Sequence, residues 1–166
     1  MFPGTLPAVA LNQSFVGRSY RLPWVYEVGR EGIRDLAYAI GDLNRAYRDP
    51  EVAKSFGHAD IVATPTFATV LAVRSHHVVT DDPELGMDYS RMMHSSQRFI
   101  NHRPIKPGDR LVCEVHVDDI SSRMGNDYIT LRSELLTEDG EAICSAIATL
   151  IVRGEKPVAA QEGDSA

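Results

Sequence analysis

The hydropathy pattern changes period about halfway along the chain, and that change restricts the folds open to it. In Arg110 to Ile120, Leu111, Cys113, Val115 and Val117 face one way and Glu114, His116 and Asp118 the other. That is the two-residue period of a strand with one buried face. Tyr128 to Leu136 and Ala142 to Val152 are further extended runs, and Thr137-Glu138-Asp139-Gly140-Glu141 between them carries the Asp-Gly pair of a hairpin turn. Gln97 to Arg103 reads as another strand, closed by Pro104, and a short one is expected near Tyr20 to Leu22.

Before this stretch the spacing is helical. Val28 and Ile33 are placed as a hydrophobic staple around a helix start, and Ile33, Leu36, Ala37 and Ile40 recur at i, i+3, i+4, i+7 before Gly41 ends the run. A second helix is signalled by Asp49 as N-cap, Pro50 at the first helical position and Gly57 as the stop. A third is expected from about Pro65 to Val79, apolar nearly all round until Arg74 and therefore largely buried. Helices followed by a run of antiparallel strands predict an α+β fold, one curved sheet packed on one long helix. A single open sheet leaves an edge strand unpaired, so a dimer that continues the sheet is expected.

Composition bounds the function. The 166 residues, 43% of them apolar, suffice for one core and not comfortably for two. We expect a single domain over residues 12–153, with loose ends at 1–11 and 154–166 where Pro, Gly and small polar residues collect. The net charge is −6, from 17 basic and 23 acidic residues, and no Lys/Arg cluster offers a face for nucleic acid. The longest apolar stretches, such as Ile147 to Val152, are far shorter than the roughly 20 residues of a membrane helix. The start lacks the basic and apolar regions of a signal peptide, so a cytoplasmic protein without membrane contact is expected. Cys113 and Cys144 then read as buried reduced thiols, with a single disulfide as the alternative. Neither has ligand-spaced neighbours beyond His116, so no metal is expected.

Chemistry-bearing residues collect between the first two helices, where Asp42, Asn44 and Tyr47 bring an acid, an amide and a phenol onto one loop. The plainer reading of Asp42 and Asn44 is turn capping. His58, in Gly57-His58-Ala59-Asp60, stands near a carboxylate that could orient it as a base, against a plain loop role; His94 comes next among the histidines. His76-His77 near the end of the long helix read as capping, and His102 and His116 as surface. Met87, Met92 and Met93 flank a loop before the strand at Gln97, as tunnel lining or as core. Arg91, Arg98, Arg103, Lys106 and Arg110 read either as a dock for phosphates or as ordinary surface charge.

Gly41, Asp42 and Asn44 match, in register, the G-D-x-N-P-x-H motif, and the stretch resembles that of the MaoC-like (R)-specific enoyl-thioester hydratases and dehydratases. Phe99 to Asp109 is similar to the same family's F-x-x-x-x-P-[VI]-x-x-G-D loop. Tyr26 to Glu31, Gly57 to Asp60, Pro65-Thr66-Phe67 and Asp88 to Arg91 resemble the actinobacterial FAS1-like dehydratase (MaoC N-terminal-type) branch, and the similarity runs from about Phe15 to Arg153. The resemblance implies the hot-dog fold, a curved antiparallel sheet around a long helix starting near Pro65. It implies no cofactor, and it implies an acyl-CoA or acyl carrier protein thioester as ligand.

Carried over by position, the catalytic Asp falls on Asp42 and the motif Asn on Asn44, but the Pro falls on Arg45 and the catalytic His on Tyr47. Histidine titrates at about 6.5 and tyrosine at about 10, so the phenol is the poorer base. Active relatives open the long helix with His-Gly, whose glycine N–H helps bind the thioester oxygen; Thr64 and Pro65 stand there instead, and proline has no N–H to give. The amides of Thr66 and Phe67 are expected to be free at the helix start, with Asn44, Thr64, Pro65, Thr66 and Phe67 binding substrate and Asp42, Tyr47 and His58 as the catalytic candidates.

The resemblance therefore implies a subunit of a (3R)-hydroxyacyl-thioester dehydratase or enoyl-thioester hydratase with a degenerate motif, paired with a MaoC-type catalytic subunit. The alternatives are a self-sufficient homodimeric hydratase using Asp42 with Tyr47 or His58, and a non-catalytic acyl-thioester binding protein.

Overall fold

A computed structural model describes residues 10–154. Its frame is an antiparallel sheet of β1 (Ser19–Arg21), β2 (Tyr26–Glu27), β3 (Met92–Asn101), β4 (Arg110–Arg123), β5 (Asn126–Thr137) and β6 (Ala142–Arg153). The order is β1-β4-β5-β6-β3, with β2 also on β4. Three helices accompany it: α1 (Arg30–Ala39), α2 (Pro50–Ser55) and α3 (Thr69–Thr80). This is the expected α+β hot-dog arrangement.

The alternation read from Arg110 onward sets which face is buried. Leu111, Cys113, Val115 and Val117 of β4 and Ile129, Leu131 and Leu135 of β5 are buried in the core. They share it with Leu71, Ala72, Ser75 and Val79 of α3. Ser75 Oγ lies 2.8 Å from Ser133 Oγ, which satisfies two hydroxyls buried where the helix meets the sheet. The β5–β6 turn forms where Asp139-Gly140 stands, with Gly140 at φ +90°. β4 runs past the expected end at Ile120 and turns through Met124 and Gly125, both at positive φ. Such a pair matches the twist of the strands it joins.

Several expectations are corrected. α3 starts at Thr69, not Pro65, because Phe67 N, Thr69 N and Val70 N donate to Thr64 O, Thr66 O and Phe67 O, three-residue bonds that make a tighter turn first. The Phe67 amide is therefore not free. β3 begins at Met92, five residues before Gln97, so Met92, Met93 and His94 belong to a strand paired with Val152, Ile151 and Leu150. β3 lies at the sheet edge, and Met93 to Ser96 are all exposed, so its first half carries no alternation to read. Ile40 lies past the end of α1 and is exposed. His76 is 5% exposed rather than a surface cap. Burial, with the charges of His94 and His77, pushes its pKa down to about 4, so it stays neutral at ordinary pH. His77 does sit at the helix end, its Nδ1 3.2 Å from Asp81 Oδ1. The expected loose ends fall outside the described residues except at their margins, where Leu11 is buried and its amide donates to Asp127 Oδ2.

Cys113 and Cys144 are free and buried. Burial pushes both thiols up to about 11. A raised thiol pKa lowers the thiolate fraction at every pH below it, to about 10⁻³ at pH 8. Ellman's reagent at pH 8 is therefore expected to leave both cysteines unlabelled in the folded chain and to titrate both once denaturant unfolds it. Rapid labelling of either in the native state would contradict that burial.

Candidate functional site

The loop after α1 is built by its own side chains. Gly41, at φ +71°, turns the chain out of the helix, and Asp42 N donates back to Ala37 O at 2.9 Å. Asp42 Oδ1 then accepts from Asn44 N, and Asn44 Oδ1 from Ala46 N, each at 3.0 Å, starting a short 3₁₀ turn over Arg45–Tyr47. Asp49 Oδ1 accepts from Glu51 N and caps α2. The Arg48 guanidinium donates to the Asp42 carbonyl oxygen, lies 4.5 Å over the Tyr38 ring, and so clamps the loop. Asp42 and Asn44 thus act here as caps, and the residue this geometry delivers inward is Tyr47, packed against the larger core cluster.

Tyr47 forms one wall of a cleft of about 340 Å³, lined also by Val62, Ala63, Thr64, Pro65 and the segment Asn101–Ile105. Backbone and side-chain bonds fix the walls to one another: Val62 N to Ala46 O at 3.4 Å, Ala63 N to Ile105 O at 2.8 Å, and Asn101 Nδ2 to Pro65 O at 3.1 Å. Burial, and then the charge of Asp42, hold the Tyr47 phenol above its ordinary pKa. At neutral pH it is a proton donor, not a base. Thr64 is 3% exposed, and its Oγ1 is buried without a hydrogen-bond partner.

Of the residues singled out from sequence, the fold brings Tyr47, Thr64 and Pro65 together in this cleft. Asp42 and Asn44 stay on the adjoining loop. Thr66 is exposed outside the cleft, and Phe67 is in the core, its ring 6.4 Å from that of Tyr26. His58 does not line the cleft, and the carboxylate expected to orient it is used elsewhere: Asp60 takes Arg30 and the Ile61 amide. Sequence reasoning missed the wall from Asn101 to Ile105, although the Phe99–Asp109 motif was there to mark it. Arg103 is not a free member of the basic stretch: its guanidinium bonds Asp109 at 2.8 and 3.1 Å and Glu141 at 3.0 and 3.2 Å. Arg110 is paired with Glu27 and Glu138, and Arg91 with Asp88. Among the described residues no group of three His, Cys, Asp or Glu is placed to hold a metal ion, and no helix is long and apolar enough to cross a membrane.

A second cleft, about 320 Å³, lies at the far end of β6 around the β4–β5 turn; of the motif residues it contains Arg91 and none of the catalytic or substrate-binding candidates.

Comparison with known proteins follows the same line. A family model described as FAS1-like, dehydratase domain region, matches residues 14–146. A UPF0336 protein of Saccharopolyspora erythraea is 52% identical over 144 residues, 87% of this chain and 92% of that one. Another from Streptomyces avermitilis is 46% identical over 155 residues, 93% of this chain and 100% of that one. Among solved structures, a chain of the C-terminally truncated HadBC (3R-hydroxyacyl-ACP dehydratase) complex from Mycobacterium tuberculosis superposes with a TM-score of 0.74 at 29% identity, covering 82% of this chain and 96% of that one. The (R)-hydratase PhaJ1 from Pseudomonas aeruginosa, at 16% identity and a TM-score of 0.63 over 91% of this chain and 92% of that one, shares the fold. A sheet of this order around α3, a cleft beside the G-D-x-N motif and a family match across most of its length lead to one conclusion: the chain belongs to the FAS1-like dehydratase domain family, with the MaoC-like hot-dog fold.

Proposed function

We propose that the chain is the acyl-thioester-binding subunit of a (3R)-hydroxyacyl-thioester dehydratase or enoyl-thioester hydratase, and that a MaoC-type partner supplies the catalytic Asp and His. The ligand is a fatty-acyl-type thioester of CoA or acyl carrier protein, held in the cleft of Tyr47, Thr64 and Pro65 with Asn44 steadying the adjoining turn. The observation that carries the reading is Tyr47: a half-buried phenol, held protonated, where the family's motif has its histidine. Hydration of a 2-enoyl thioester needs a group that takes a proton from water as oxygen adds to C3, and a phenol that keeps its proton does not supply it. Pro65 removes the backbone donor as well.

The free edge of β3 supports the pairing. Ten residues of strand have a neighbour, β6, on one side only among the described residues, with Met93 and Ile100 partly exposed. A neighbour solved as a HadBC complex also favours a heteromeric partner. The setting we propose is cytoplasmic.

The test follows hydration of crotonyl-CoA and a longer trans-2-enoyl-CoA at the enoyl absorbance, using this chain alone, a MaoC-type chain with an intact D-x-N-P-x-H motif alone, and both together. Turnover is expected from the mixture at least about 100-fold above this chain alone, the scale of one general acid–base group. Equal turnover by this chain alone, abolished by Asp42→Ala, would instead make it a self-sufficient enzyme.

A further inference from the structure

The proposed thioester cleft contains one unexplained polar group. Thr64 is 3% exposed and its Oγ1 has no hydrogen-bond partner. Leaving a buried hydroxyl unpaired is costly, and folded proteins rarely tolerate it without a reason. Neighbouring backbone and amide groups are engaged with one another instead: Thr64 O accepts from Phe67 N, Asn101 Nδ2 donates to Pro65 O, and Pro65 has no N–H. Thr64 is at the same time a wall of the cleft. A turn about χ1 moves its hydroxyl between staggered positions without disturbing the backbone, so the group can present itself to a bound molecule.

The other groups lining the cleft define what that molecule carries. Arg103 is held by two carboxylates, those of Asp109 and Glu141. Tyr47 and Asn101 are neutral, and His102 is exposed. An anionic group brought here would lose its hydration without meeting an uncommitted buried cation, whereas a carbonyl oxygen needs only one donor. We propose that Thr64 Oγ1–H donates to the carbonyl oxygen of the bound acyl thioester, in place of the backbone donor that Pro65 removes, and that the cleft selects an uncharged acyl group at that point. This rests on the thioester-binding reading above and gives Thr64 a positioning role within it.

The experiment compares the wild-type chain with Thr64→Val and Thr64→Ser, using trans-2-hexenoyl-CoA and an S-alkyl-CoA thioether in which a methylene replaces the carbonyl. Calorimetry is expected to show Thr64→Val binding the thioester about 3- to 10-fold more weakly, the scale of one neutral hydrogen bond, with thioether affinity unchanged and the serine variant like wild type. The free Thr64→Val chain is expected to melt no lower than wild type, since valine fills the same space and removes an orphaned hydroxyl. Equal weakening for both ligands, no weakening for either, or a lowered melting temperature overturns the role of Thr64. Failure of the wild-type chain to bind either ligand overturns the thioester reading itself, and the role of Thr64 with it.

Discussion

Tyr47→His is expected to raise hydration of trans-2-enoyl-CoA by the unpartnered chain about 10- to 100-fold, the low end of what one positioned acid–base group contributes because the donor lost at Pro65 is still missing. The wild-type phenol is raised by burial first and by the Asp42 charge second, so at neutral pH it cannot accept a proton. An imidazole at the same place inherits both influences, with the sign of the burial effect reversed. Burial lowers its pKa, while the Asp42 carboxylate raises it, and the two partly cancel near an unperturbed value of about 6.5. It would therefore be largely neutral above pH 7, and the gain should fade as pH drops through its pKa and the base becomes protonated. Adding Pro65→Gly returns a backbone N–H at the turn before α3 and should raise the rate further. A folded Tyr47→His chain that binds the thioester and hydrates nothing at any pH would sink the idea. The Asp42 carboxylate, occupied in capping Asn44 N, would then be a turn residue and no more.

That competition between capping and catalysis also marks how far the sequence could be read. Local signals were sufficient wherever a residue's role depends on its near neighbours. Asp49 with Pro50 starts α2, Gly41 stops α1, Asp139-Gly140 turns β5 into β6, and the alternation from Leu111 separates the buried face of β4 from the exposed one. Where the environment comes from distant chain, the pattern was silent or misleading. Met92 to Ser96 is a strand because β6 offers it partners, yet its edge position leaves no buried face to impose a period. His76 looks like a helix-end cation in sequence and is buried by its place in the fold. Phe67 falls within a motif that resembles the FAS1-like dehydratase branch, but the three-residue bonds before α3 accompany a ring seated in the core rather than at the cleft. The cleft itself joins Thr64 and Pro65 to Asn101, which lies 36 residues beyond the Pro65 carbonyl it bonds, a closure that no local rule announces. The motif resemblance supplied Tyr47, Thr64 and Pro65; only the fold shows that Asn101 to Ile105 completes the wall and that Arg103 is committed elsewhere.

Arg103→Leu is expected to lower the melting temperature by about 5–15 °C, because it strands a buried carboxylate under the wall of the cleft. Asp109 is 7% exposed and accepts three hydrogen bonds, from Arg103 Nη1 at 2.8 Å, Arg103 Nη2 at 3.1 Å and Lys106 N at 2.9 Å. The leucine variant leaves only the last. Removing one partner of a buried ion pair costs about 3–5 kcal/mol, reduced here to about 2–4 kcal/mol because the arginine end is partly open to water and the Lys106 amide still contributes. In a domain of this size each kcal/mol moves the midpoint by about 2–4 °C. Glu141, the other partner of Arg103, is exposed, so Glu141→Gln should shift the midpoint by less than about 2 °C. Arg103→Leu combined with Asp109→Leu should recover much of the loss, since the cost lies in the unpaired charge rather than in the missing attraction. An Arg103→Leu chain that melts within 2 °C of wild type would mean that Asp109 is not relying on the arginine. Arg103 precedes Pro104 and Ile105 in the cleft wall, and Ile105 O holds Ala63 N beside Thr64. Loosening this ion pair should therefore also weaken acyl-thioester binding under conditions where the variant is still folded, and Glu141→Gln should not.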